Sequence, residues 1–194
     1  MQVLGTLPLT DARDLFILDC EARCLAPATR SFYTRKLRLV IRWMHAENVF
    51  NVEDVTPHHI RRYLVSIAAR GLSSRHQHNL ARAMRAFFNY LVRDGLLKES
   101  PFDKVRMPKM ENKIHETFTQ AEIQKVIAAC NTQRDKALCF FLLDTGVRQT
   151  ELCLMNVGDV DLQTGLVIVH KGKGQKERPT FIGAASSSQA AAPS

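Results

Sequence analysis

Between residues 74 and 93 (SRHQHNLARAMRAFFNYLVR) the apolar side chains recur at helical spacing. At about 100° per residue, Leu80, Met84, Phe87, Phe88 and Leu91 fall within a sector of about 100°, while Arg75, His78, Arg82, Arg85 and Asn89 gather on the opposite side. A segment divided in this way folds as a helix with one side in a core and the other in water. Residues 28–48 repeat the arrangement, with Tyr33, Leu37, Val40 and Met44 on one face and Arg35, Arg38 and Arg42 on another. Breaks at Pro27, 51–57, 71–74 and 95–101 then give four helices near 10–24, 28–48, 57–70 and 74–93. Thr56-Pro57 is a start signal, with Thr able to cap free amides and Pro seated in the first turn, and Gly71 is a stop signal.

Charge follows the same geography. Residues 1–110 hold 18 basic and 10 acidic side chains, whereas 111–194 hold 9 of each, so the formal +8 belongs to the first half. A localised positive surface is the footprint of a polyanion binder, and a membrane-surface protein has a similar one. Arginine's planar fork suits phosphate oxygens and base edges, and a helix fits the major groove of duplex DNA. Positive faces also serve simply as solvated surface, although such faces usually mix signs and these two stripes carry almost no acid at i±4.

The longest apolar run, 137–143, falls far short of the roughly 20 residues that cross a bilayer, so no membrane span is expected. The N-terminus lacks the basic start and apolar core of a signal peptide, which points to a cytoplasmic protein. Five cysteines (Cys20, Cys24, Cys130, Cys139 and Cys153) without CxxC spacing argue against a disulfide framework or a zinc site, leaving reduced and mostly buried thiols as the expectation.

Residues 107–116 (MPKMENKIHE) are polar and aperiodic and read as an extended linker region. The expected division is 1–109, a linker at 110–116, a second domain at 117–183, and a low-complexity tail at 184–194 (AASSSQAAAPS). Thr119 and Glu122 have capping-box spacing ahead of Ile123, and an apolar helix follows through 137–143. Residues 166–169 and 178–182 then flank the turn-rich KGKGQK, which reads as a β-hairpin. The fold class is thus mainly α with a small β-hairpin or sheet (α+β).

The stretch DTGVRQTELCLMNVGDVD (144–161) is the most specific in the chain. Gly146 permits a tight turn, Arg148 emerges where the next helix begins, and Glu151 follows one turn later on the same face. A carboxylate at i+3 orients the arginine for a phosphate, and the same spacing also makes an ordinary surface ion pair. Lys171, Lys173 and Lys176, interleaved with Gly172 and Gly174, form a basic hairpin tip that suits a DNA groove or plain solvent.

Taken together, TGVRQTEL (145–152), Asp159 and GKGQKER (172–178) resemble the tyrosine recombinase (phage-type integrase) family. The wording LSSRHQHNLARAMRAFFNYLVRDGLLKESPFDKVRMPK (72–109) is similar to that family's core-binding domain. The resemblance implies a four-helix SAM-like core-binding domain followed by the first part of the catalytic domain, clamped around double-stranded DNA. It implies a chemistry without metal or cofactor, in which a tyrosine attacks the phosphodiester, arginines stabilise the charged transition state and a hairpin lysine protonates the leaving oxygen. Carried over by position, Arg148 binds phosphate, Glu151 supports it and Lys173 is the general acid, with Lys176 as the alternative. The DNA-binding candidates are Arg35, Arg38, Arg42, Arg75, His78, Arg82, Arg85 and Asn89. Other recombinase subunits are implied as partners, since the family works as tetramers on two duplexes.

The sequence departs from the family pattern after Lys173. No histidine follows it, Arg178 is the only later arginine, and the last tyrosine is Tyr90. The second arginine, the histidine and the nucleophile of the family are therefore missing from these positions, and the chain is expected to bind DNA without cutting it. Three functional readings stand: a recombinase fragment that binds duplex DNA, a non-catalytic modulator of recombination, and a helical transcription repressor in which Arg148 and Lys173 are dispensable.

Overall fold

The computed structural model describes residues 6–111, 116–170 and 177–183, which fall into two compact units divided after residue 114. The expected tail at 184–194 lies outside the described residues, as do 112–115 of the expected linker.

The first unit contains four helices: α1 (Leu9–Ala22), α2 (Pro27–Ala46), α3 (Pro57–Ala69) and α4 (Ser74–Arg93). Each lies within two residues of the boundaries read from periodicity. The caps explain why. Thr56 Oγ1 accepts from the His59 amide at 3.3 Å while the Thr56 amide donates to His59 Nδ1 at 3.2 Å, a reciprocal cap ahead of Pro57. Ser73 Oγ likewise accepts from the His76 amide at 3.3 Å and starts α4.

The apolar face of α4 is the centre of this unit. Leu80, Met84, Phe87, Phe88 and Leu91 are all buried, and they pack with Leu37, Val40 and Met44 of α2, Ile60 and Tyr63 of α3, and Phe16 of α1. Phe16 stands edge-on to Tyr33 (5.1 Å between centroids) and to Phe87 (5.9 Å), joining three helices through their rings. The chain before α1 is tied down as well, since the Leu9 amide donates to Phe50 O and the Val52 amide to Leu7 O, both at 2.9 Å.

The second unit contains α5 (Gln120–Ala128), α6 (Gln133–Thr145), α7 (Gln149–Cys153), and the strands β1 (Leu166–Val169) and β2 (Arg178–Phe181). The strands pair antiparallel in the register Leu166↔Phe181 to Val169↔Arg178. The Thr119–Glu122 capping box forms as its spacing predicts, with the Thr119 amide donating to Glu122 at 2.8 Å. Gly165 sits at φ +73°, and a Cβ there would lie 2.9 Å from Ile182 O. That close approach lets Gly165 O accept from the Ile182 amide at 2.9 Å and closes the sheet.

The core of this unit is small: Val147, Val167, Val169 and Ile182 are its buried members. The apolar run 137–143 lies in α6 as a helix, and Leu138, Leu142 and Leu143 stay exposed among the described residues. The expectation of mostly buried thiols fails. Cys20 alone is buried, Cys24 and Cys153 are exposed, and Cys130 and Cys139 are half-buried. Cysteine's usual preference for interiors is overridden by the shallow packing of the second unit and by the position of Cys24 at the end of α1.

The first unit gives a direct prediction. Phe87→Ala removes a ring that is 2 % exposed and should cost about 3–5 kcal/mol by cavity formation. Urea unfolding followed by helical circular dichroism measures it, and an unchanged midpoint would contradict the packing of α4 against α1 and α2.

Candidate nucleic-acid interface and phosphate site

On the first unit, the polar faces of α2 and α4 adjoin. The Arg82 guanidinium lies 4.8 Å from the centre of the Phe32 ring, and Lys36 Nζ is 3.4 Å from His76 Nδ1, so both contacts bridge the two helices. Arg35, Arg38, Arg42, Arg75, Arg82, Arg85 and Asn89 are all exposed. His78 is half-buried, with Nδ1 3.3 Å from Pro108 O. Among the described residues, none of those six arginines makes an ion pair. Arg35 spends one donor on Ser31 O at 3.3 Å, and the stacked Arg82 is held by a ring in place of a carboxylate.

The sequence reading missed Lys36, Arg70 and His76. With Arg42, Trp43 and Tyr63, Arg70 and His76 line a crevice of about 390 Å³ between α2, α3 and the start of α4. Burial lowers the Lys36 pKa, and neighbouring Arg35 lowers it further. Burial, then Lys36 and Arg70, lower that of His76. Burial thus disfavours the charged forms of both groups, and the neighbouring cations disfavour them further. The missed residues lie off the two stripes, and only the packing of α3 beside them brings Arg70 to the same crevice.

The second unit holds a different arrangement. Gly146, at φ +58°, ends α6 in the left-handed conformation and turns the chain so that Arg148 becomes the residue capping α7. Glu151 is buried, its side chain only 4 % exposed, and its carboxylate accepts from three donors. These are the Arg148 backbone amide at 2.8 Å, the Arg148 guanidinium at 2.6 Å and the Arg178 guanidinium at 3.0 Å. The Arg148 amide is the main reason the Glu151 carboxyl sits below its ordinary pKa; the two guanidiniums add to it. Their side chains remain 58 % and 39 % exposed, so each keeps N–H donors directed outward.

Arg178 is the residue that sequence reasoning left unassigned. The strand register brings it to Arg148, since Arg178 pairs with Val169 and β2 is pinned to the end of α6 by Thr180 Oγ1 donating to Thr145 O at 3.2 Å. The arrangement is two cations on one anion, a net positive site with two forks held in advance.

Next to the Val169–Arg178 pair, His170 bridges Asp159 (Nε2 to Oδ1, 3.1 Å) and Glu177 (Nδ1 to Oε1, 2.8 Å). The Glu177 hydrogen bond leads the effects that raise the His170 pKa, favouring the imidazolium, whose two N–H groups donate to both carboxylates. Lys171, Lys173 and Lys176 lie outside the described residues. No group of three or more potential metal ligands occurs among the described residues.

Comparison with known proteins agrees on one family. Residues 13–97 match the phage integrase N-terminal SAM-like domain, and residues 116–192 match the phage integrase family model. The tyrosine recombinase XerC of Bacillus licheniformis is 34% identical over 142 residues, covering 71% of this chain and 46% of that protein. The tyrosine recombinase XerA of Thermococcus kodakarensis is 29% identical, covering 83% of this chain and 52% of that protein. The chain therefore spans about half the length of the curated relatives it matches. Among solved structures, a lambda integrase tetramer bound to a Holliday junction superposes with a TM-score of 0.78 at 16% identity, covering 94% of this chain and 51% of that one. The Tn1549 transposon integrase in complex with a circular intermediate DNA gives 0.69 at 16% identity, covering 92% and 63%. At such identities the likeness is one of fold.

The two polar clusters of the second unit respond to pH in opposite directions. Glu151, with its pKa depressed, contributes stability that is present above the ordinary carboxylate range and lost as pH falls through the depressed value. Glu151→Gln should therefore lower the melting temperature of the second unit most near neutral pH, with the gap to wild type closing in acid. A pH-independent gap would reject the role of the charge. His170, with its pKa raised, contributes stability that is present below the ordinary histidine pKa and lost as pH rises through the raised value. An NMR titration of the His170 ring should show the upward displacement, and Glu177→Gln should reduce it.

Proposed function

Because the chain belongs to the phage integrase family of tyrosine recombinases, we propose that its first unit binds duplex DNA through the adjoining faces of α2 and α4 and that its second unit receives a backbone phosphate at Arg148. The observation that carries this reading is the set of six exposed arginines without acidic partners among the described residues, on two helices bridged by Arg82–Phe32 and Lys36–His76. A face meant only for solvent gains nothing by leaving like charges uncompensated, whereas a face that displaces counterions from DNA gains affinity from each. Arg35, Arg38, Arg42, Arg75, Arg82 and Arg85 supply charge, and His78 and Asn89 add donors that reach sugar, phosphate or base edges.

In the second unit, Glu151 holds the Arg148 fork in place and Arg178 adds a second fork beside it, an arrangement that supports charge stabilisation on a phosphoryl group. By family position Lys173 serves as the general acid, or Lys176 in its place. The tyrosines of these 194 residues are Tyr33, Tyr63 and Tyr90, all in the first unit. Burial pushes Tyr63 and Tyr90 up to about 12, the opposite of an activated nucleophile. The 194 residues alone accordingly bind DNA without cleaving it, and site-specific recombination belongs to the family's complete active site. The work is that of a cytoplasmic DNA-binding protein, acting with other recombinase subunits.

Fluorescence anisotropy with a labelled duplex tests this reading across a salt series. Where Z arginines reach phosphates, log K falls against log salt with a slope of about −0.9Z, so replacing Arg82 and Arg85 together by Ala should flatten the slope by about 1.8. Arg148→Ala should flatten it by no more than about 0.9. A salt-independent affinity, or equal losses from the two changes, would overturn the assignment, and a covalent protein–DNA adduct would overturn the claim that these residues alone do not cleave.

A further inference from the structure

Cys130 follows the end of α5 and Cys139 lies within α6, and their sulfurs are 3.6 Å apart. Both residues are half-buried, and no other pair of sulfurs is in contact among the described residues. The DNA-binding reading uses neither thiol. We propose that Cys130 and Cys139 form a reversible redox site, a dithiol that a small disulfide such as oxidised glutathione converts to an intramolecular disulfide stapling α5 to α6.

The chemistry balances as two successive exchanges. The thiolate of one cysteine attacks a glutathione sulfur, breaking the glutathione S–S bond and releasing one glutathione thiolate, and a mixed disulfide is left on the protein. The second cysteine, as thiolate, attacks the protein sulfur of that mixed disulfide and expels the second glutathione. The two protein sulfurs are oxidised, the two glutathione sulfurs are reduced, and the two thiol protons end on the released glutathiones. Closing the bond requires the sulfurs to approach by about 1.5 Å, within reach of side-chain rotation. The Cys130 thiol is raised by burial first and by the adjoining Cys139 second, with Asp135 acting in the same direction and Lys136 against it. The raised Cys130 thiol favours its protonated form, so exchange through it is faster in mild alkali.

The place of the pair in the fold gives the bond a consequence. No residue of α5 is buried, and the core of its unit is built from Val147, Val167, Val169 and Ile182 without any contribution from α5. A covalent link across the α5–α6 turn pins a helix that packing holds weakly, and it restricts the unfolded chain as well.

Tryptic mapping of the 194-residue chain after incubation with oxidised glutathione tests the proposal, because cleavage at Lys125, Arg134, Lys136 and Arg148 places the two cysteines on separate peptides, 126–134 and 137–148. The expected result is one cross-linked pair of these peptides, two hydrogens lighter than their sum and released by dithiothreitol. It should disappear in Cys130→Ser and in Cys139→Ser, while amide exchange of α5 slows in the oxidised wild type. Free, alkylatable Cys130 and Cys139 beside glutathionylated Cys24 or Cys153 would overturn the site, as would a disulfide between two chains. Cross-linking that leaves α5 exchange unchanged would overturn the staple.

Discussion

The Glu151 carboxylate accepts the Arg148 amide, the Arg148 guanidinium and the Arg178 guanidinium at once, and the second unit depends on that convergence. One end of the network is the N-terminus of α7 and the other is the first residue of β2, so the same side chain that orients the arginines also attaches the hairpin to the helices. Burying a carboxylate is costly unless charged donors surround it, and here two cations and an amide do so. Among the described residues, the buried apolar cluster of Val147, Val167, Val169 and Ile182 leaves little else to fix this geometry. Structure and candidate chemistry therefore share one interaction, and weakening it loosens both.

The first unit is organised on the opposite principle. Its apolar core runs through all four helices, and the rings of Phe16, Tyr33, Phe87 and Tyr90 meet at centroid distances of 5.1 to 5.9 Å. Stability supplied by burial leaves the polar face free to be electrostatically unfavourable. The six arginines carry like charge without carboxylates among the described residues to offset it, and beside them burial first, and neighbouring cations second, lower the pKa values of Lys36 and His76. A unit with a shallower core would pay for such a surface in unfolding.

How much of this was legible in the sequence depended on the range of the interaction. The helix over residues 74–93 came from spacing alone, because the period of an amphipathic helix is a local property, the start at Thr56 came from its neighbour Pro57, and the Thr119 cap came from a glutamate three residues on. Arg148 and Glu151 were readable for the same reason. Arg178 was not, since its meeting with Glu151 depends on the β1–β2 register and on Thr180 reaching Thr145. The exposure of α6 was not legible either: the sequence marks 137–143 as an apolar helix, and only the tertiary arrangement shows that Leu138, Leu142 and Leu143 remain uncovered among the described residues. The Cys130–Cys139 approach has no sequence signal beyond two cysteines near a turn, because it needs α5 and α6 to fold back on each other.

The two units divide affinity from geometry. The six stripe arginines of α2 and α4 have no carboxylate partner among the described residues, and apart from Arg82 on the Phe32 ring and Arg35 on Ser31 O no hydrogen bond or ring contact there fixes them, so on the proposed reading their contribution to DNA binding is long-ranged and screened by salt. Arg148 and Arg178 have already lost side-chain freedom to Glu151, which cancels part of their charge and weakens them as simple attractors. What they keep is direction: each fork has one arm on the buried carboxylate and its remaining donors outward, so an arriving phosphate meets donors whose ordering cost was met during folding. On the proposed reading, binding energy concentrated on the first unit and preorganisation on the second would let a protein hold many DNA sites loosely while presenting one phosphate to a fixed set of charges.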